Sequence, residues 1–160
     1  MHIQTAFFPG AIGSIAALHG AYYARHWGFS TFFEAKVAQE LSTFALRQAP
    51  TDLVLLASDE SGLAASLILD LNDLASGSKG AHLRWFILAD RLRGTGLGRR
   101  MLATAMAHVD DHAGGKAWLT TFNGLAPARH LYESVGFRLT LEAEGEAWGT
   151  KVHEQEFCRP

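Results

Sequence analysis

The sequence predicts an α/β fold of the α+β kind, formed as one domain over residues 1–160, and three observations predict it. Apolar residues switch repeatedly between the two-residue period of strands and the 3.6-residue period of helices. Strand-type runs outnumber helical ones. From Leu83 to Leu102 an apolar strand passes through Arg93-Gly94-Thr95-Gly96-Leu97-Gly98 and opens directly into a helix, as expected where a sheet and its covering helix share a core.

Taken in order, His2 to Phe8 alternates and is closed by Pro9-Gly10, which predicts a strand and a turn. Ile12, Ile15, Ala16, His19, Tyr22 and Tyr23 then recur at helical spacing, with Gly28 past the end. Thr31 and Glu34 have the spacing of a capping box, and Phe33, Val37, Leu41 and Phe44 form the stripe of a second helix. Thr51–Ser58 and Leu63–Leu71 read as strands joined by the hairpin turn Asp59-Glu60-Ser61-Gly62. Asn72 to Gly80 is a polar loop, and His82 to Ala89 is the next strand.

The helix after the glycine turn carries Leu97, Met101, Leu102, Ala105 and Val109 on one face and stops at Gly114-Gly115. Lys116–Phe122 is a strand. Pro127 suits the first turn of a helix that runs to Val135 and ends at Gly136. Phe137–Leu141 and Lys151–Phe157 close the chain as strands, giving the order β, α, α, β, β, β, α, β, α, β, β.

Composition narrows the function classes. With 48% apolar and 19% charged residues the chain is of ordinary globular type. A formal net charge of −2 without a long Lys or Arg run argues against nucleic acid as a partner. Cys158 is the only cysteine, so no internal disulfide or multi-cysteine metal site can form. The reducing cytoplasm fits that usage. No signal-peptide pattern opens the chain, and no apolar run reaches the ~20 residues of a membrane helix, so a soluble cytoplasmic protein without a membrane partner is expected.

Three glycines at alternate positions let the backbone turn several N–H groups into one concavity, and at a helix N-terminus such a concavity favours phosphate. A nucleotide-triphosphate loop would place Lys and then Ser or Thr where Arg99 and Arg100 stand. A dinucleotide fingerprint would place its third glycine later than Gly98.

Arg93-x-x-Gly96-x-Gly98, preceded by strand Leu83–Ala89, resembles motif A of the GNAT superfamily of acyl-CoA-dependent N-acyltransferases. Asn123, followed by Ala128-Arg-His-Leu-Tyr132-Glu-Ser-Val-Gly136-Phe137, resembles its motif B, although Gly124-Leu125-Ala126-Pro127 spaces Asn123 further from Tyr132 than is common in the family. The resemblance implies a mixed, mostly antiparallel sheet splayed at a CoA slot. It implies acetyl-CoA as co-substrate and no metal, with Arg93, Gly94, Thr95, Gly96, Leu97, Gly98 and Arg99 around the pyrophosphate. Strand Phe86, Ile87 and Leu88 would pair with the pantetheine amides, Asn123 and Arg129 would border the cofactor, and Tyr132 would give a proton to the leaving thiolate. His19-Gly20-x-Tyr22-Tyr23 and Trp148-Gly149 also resemble GNAT modules that follow MarR-type DNA-binding domains in longer proteins.

The expected activity is therefore acetyl transfer from acetyl-CoA to a primary amine, on a small molecule or a protein, by direct attack in a ternary complex. A non-catalytic acyl-CoA-binding sensor is the alternative, and a homodimer is compatible with either. The amine is expected between the first two helices and the sheet, near Tyr23, Trp27 and Trp85. Glu34 fits a capping role as well as a general base, and His19 fits a core histidine better than a pocket residue. His108 and His112 have the spacing of a metal pair but lack a third ligand, so they read as edge residues; Asp59, Glu60 and Glu146 read as solvated turn residues.

Overall fold

Along β2 (Leu53–Asp59) Val54 and Leu56 alternate with Leu55 and Ala57, and all four are buried. Successive residues of a strand point to opposite faces, so both faces of this sheet must be covered. The computed structural model describes residues 1–160 and shows how. On one face α1 (Ala11–Trp27) and α2 (Thr31–Arg47) set Ile15, Leu41 and Phe44 against Val54, Leu56 and Ile68. On the other face α3 (Leu97–His112) sets Leu97, Met101, Leu102 and Val109 against Leu55, Leu67 and Leu69.

The remaining elements are β1 (His2–Gln4), β3 (Gly62–Asp70), β4 (Ala81–Leu88), β5 (Ala117–Phe122), α4 (Ala126–Ser134), β6 (Arg138–Gly145) and β7 (Val152–Arg159). They form a seven-stranded sheet of order β1-β2-β3-β4-β5-β7-β6. Every neighbouring pair is antiparallel except β4 and β5. Joining parallel neighbours requires a crossover, which α3 supplies. No helix is long and apolar enough to cross a membrane.

The β4–β5 pair positions the site. The two strands pair only at Ala81 with Ala117 and His82 with Trp118, then part. Beyond that joint the β5-facing side of β4 has no ladder partner, and the sheet holds a wedge-shaped slot. On its other side β4 stays paired with β3 but slips register between Ser66 and Ile68. Opposite that slip stands Trp85 at φ 48°, the one non-glycine residue with positive φ, and the Ser66 hydroxyl donates to its carbonyl at 2.6 Å. Such an irregularity re-aims the strand, and irregularities of this kind gather at functional sites.

The element order follows the sequence reading, with local differences. β1 stops at Gln4 because only His2–Gln4 finds a partner, on β2. β6 extends to Gly145 because β7 pairs along it as far as Val152. The Asn72–Gly80 loop contains one 3₁₀ turn, Leu74–Ser76, held by the Asp73 carboxylate accepting from the Ala75 N–H. The capping box does not form, for the helix starts one residue earlier than that reading requires. Ser30 is the N-cap without a side-chain cap bond, Thr31 is the first helical residue, and the Glu34 carboxylate lies in the space a Cβ on Gly20 would fill.

Candidate active site

The turn between β4 and α3 is open. Gly94 and Gly96 sit at φ 77° and 83°, conformations that residues with a Cβ rarely hold, and α3 begins with no side-chain cap. The N–H groups of Gly94, Gly96, Gly98 and Arg99 donate to no carbonyl or side chain of the protein. All four residues line one cleft of about 1450 Å³ that continues into the β4–β5 slot. The head of α3 lies close to β4 and α4, and a Cβ on Gly98 would rest in ordinary contact with Leu88 at 3.5 Å and Leu131 at 3.7 Å.

Two flanking contacts hold the turn in place. Arg91 pairs with Asp59 through two hydrogen bonds of 2.8 and 2.9 Å. Asp90 accepts from His26 at 3.2 Å and from Arg93 at 3.0 Å, while the Arg93 guanidinium lies 4.8 Å from the centre of the Tyr22 ring. The His26 hydrogen bond is the first reason the Asp90 carboxyl titrates below its usual range. Arg99 forms no ion pair and remains free at the cleft wall.

Tyr132 faces the same cleft from α4. Its ring packs with Phe86, Phe137 and Phe157 at centroid distances of 6.2, 5.9 and 6.4 Å, and the residue is 7% exposed. Its hydroxyl bonds to no protein group, yet no buried side-chain polar atom lacks a partner, so the hydroxyl meets the open cleft. Burial first, and the neighbouring Tyr23 second, push its pKa up. The group therefore stays protonated at neutral pH and can act as a donor.

His19, 5% exposed, lines the cleft as well. Its Nδ1 donates to the Ile15 carbonyl at 2.8 Å, which leaves Nε2 with a free lone pair. Burial lowers its pKa to about 4, so the ring is neutral at physiological pH. Further along, the cleft is polar: Arg84 contacts Glu40 at 3.2 Å and the fully buried Asp70 at 3.3 Å, and His82 donates to Asp73 at 2.7 Å. Arg47 completes the set with a bidentate pair to Asp70.

The structure thus brings together Phe86, Ile87, Leu88, Arg93, Gly94, Gly96, Gly98, Arg99 and Tyr132 on one cleft. Thr95 and Leu97 lie in the turn without lining it: the Thr95 hydroxyl donates to the Leu92 carbonyl at 2.6 Å, and Leu97 is buried beneath. Asn123 and Arg129 border a separate hollow of about 230 Å³, and Arg129 stacks over Phe157. Tyr23, Trp27 and Trp85 do line the main cleft. His108 and His112 stack at 4.1 Å and bind the carbonyls of Thr51 and His108, and no group of three or more His, Cys, Asp or Glu side chains is placed to hold a metal ion. The Glu40, Asp73, His82 and Arg84 cluster is hidden in the sequence except for one signal, two polar residues at alternate positions in the otherwise apolar run Ala81–Leu88.

Comparison with known proteins agrees with this geometry. A Brucella melitensis ribosomal-protein-alanine N-acetyltransferase superposes with TM-score 0.71 at 17% identity, covering 99% of this chain and 98% of that one. A Salmonella typhimurium protein described as an acetyltransferase, solved with its cofactor acetyl-CoA, gives 0.70 at 16% identity over 99% and 92%. A point mutant of the spermidine N-acetyltransferase of Vibrio cholerae gives 0.64 at 16% identity over 99% and 94%. At such identities the likeness concerns the fold. No curated protein sequence matches the chain. The model of the acetyltransferase (GNAT) family matches residues 13–137, more than half of the chain, and with the split sheet and the open glycine turn this makes the chain a member of that family.

Proposed function

We propose that the protein transfers an acetyl group from acetyl-CoA to a primary amine by direct attack. The observation that carries this reading is the row of unpartnered N–H groups at Gly94, Gly96, Gly98 and Arg99, on the same cleft as the Tyr132 hydroxyl. Those amides, the head of α3 and the free Arg99 suit a diphosphate. The unladdered side of β4 at Phe86–Leu88 suits the amides of a pantetheine arm, which add to it as a strand would. The neutral amine nitrogen forms a bond to the thioester carbonyl carbon, the C–S bond breaks and the departing sulfur takes a proton from Tyr132; the proton shed by the nitrogen passes to solvent, which returns one to the Tyr132 oxygen.

The test is thiol release from acetyl-CoA over a panel of amines. Tyr132→Phe is expected to lower kcat about 100-fold, the range of a lost general acid, with acetyl-CoA affinity within about twofold of the parent. An unchanged rate removes Tyr132 from the reaction. Binding of acetyl-CoA without turnover on any amine would favour a sensor of acyl-CoA instead.

A further inference from the structure

The cleft does not end at the slot. Beyond it the walls are Tyr23, Trp27, Trp85, Phe122 and Trp148, supplied by α1, β4, β5 and the loop between β6 and β7. Trp27 meets Phe122 edge-on at 4.9 Å, and Phe122 lies 5.7 Å from Trp148 and 5.9 Å from Tyr23. Two glycines let rings approach the backbone closely here. A Cβ on Gly124 would overlap the Trp27 indole, and one on Gly149, beside Trp148, would come within 2.6 Å of Phe32.

Phe122 is sealed in the core, but Tyr23, Trp27, Trp85 and Trp148 are only half-buried, so flat apolar surface faces the open cleft. Their polar tips take no hydrogen bond in the protein. Since no buried side-chain polar atom lacks a partner, these tips also reach open space. Partly exposed aromatic walls with free donors at their edges suit a flat ligand that carries a few polar groups.

The charges of the cleft narrow the choice. Its lining carboxylates are Glu40 and Asp73. Glu40 is held by Lys36 at 2.8 Å and Arg84 at 3.2 Å, and Asp73 by His82 at 2.7 Å and Arg84 at 3.7 Å. Neither is left to receive a second cationic centre of a substrate.

We infer that the acceptor is a monoamine borne on an aromatic or similarly flat apolar body, with Trp27, Trp148 and Tyr23 as the residues that select it, and that polyamines are poor acceptors. This rests on the acetyl-transfer reading of the same cleft.

The experiment compares 2-phenylethylamine, spermidine and an alanine-terminated peptide by thiol release, with Trp148→Ala, Trp148→Glu and Trp27→Phe beside the parent. The parent is expected to favour 2-phenylethylamine over spermidine at least tenfold in kcat/KM. Trp148→Ala lowers that value five- to tenfold through KM, Trp27→Phe lowers it less, and Trp148→Glu narrows the gap by giving spermidine a carboxylate. Preference for spermidine or the peptide, or a ratio that none of the variants moves, overturns the inference. Binding of the same amines to the acetyl-CoA-loaded protein, followed by tryptophan fluorescence, separates the two readings. Selective binding of 2-phenylethylamine without turnover ends the acetyl-transfer reading and leaves the ligand class standing, whereas turnover with spermidine preferred does the reverse.

Discussion

At the turn end of the cleft the free donors are backbone amides of Gly94, Gly96, Gly98 and Arg99 together with the Arg99 guanidinium, all within one short stretch. At the opposite end they are rings and ion-paired side chains from α1, α2, β4, β5 and the β6–β7 loop, which are far apart in the chain. The difference teaches how generality and selectivity divide in one cavity. Main-chain donors are the same whatever the side chains, so they suit an invariant diphosphate. Side chains can be exchanged one at a time, so they suit the partner that must be discriminated.

Acid is the first way to break this comparison, because the side-chain end holds two buried histidines, His19 and His82. Burial lowers both His19 and His82 to about 4, against 6.5 for the exposed ring. Between those values the unfolded chain binds more protons. The stability these rings confer is therefore complete above pH 6.5 and is lost as the pH falls toward 4, about 2–3 kcal/mol for each. Urea unfolding at pH 7 and about pH 4.5 measures it. The slope should flatten in His19→Gln, and a pH-independent midpoint would contradict it.

The reverse perturbation strikes the amide end alone. Gly96→Val forces a β-branched residue to φ 83°, a strain of about 1–3 kcal/mol where the turn holds its shape. Acetyl-CoA affinity, measured by calorimetry, is expected to fall about tenfold to a hundredfold while the ranking of amines is kept. If the ranking changes too, the two ends are not independent. The smallest effect belongs to Arg99→Ala. This exposed guanidinium should contribute a few-fold in affinity, and salt should weaken the difference between parent and variant.

How much of this is legible in the sequence follows the same division. The turn can be read because Arg93 to Arg99 is contiguous and glycine at alternate positions has a backbone consequence that needs no partner. The helix carrying Tyr132 can be read from Pro127 and Gly136. The proposed acceptor wall can be read only in part. Tyr23, Trp27 and Trp85, which the sequence reading groups, line one cleft, but nothing local joins Trp148 to Trp27, because only the fold brings the β6–β7 loop and α1 to the same Phe122 ring. Glu34 misleads for a related reason. Spacing alone suggests a cap, whereas the approach of α1 at Gly20 decides where its carboxylate lies.

Consider finally the joint where β4 and β5 hold to each other by two register pairs before parting. A sheet interrupted in its middle has two raw edges inside the molecule, where ordinary sheets have them only at the rim. An extended chain of amides bound there would complete the architecture as well as being held by it. Occupancy and rigidity of the two half-sheets are then a single property, and amide exchange along Phe86–Leu88 should slow with ligand more than exchange anywhere along β2.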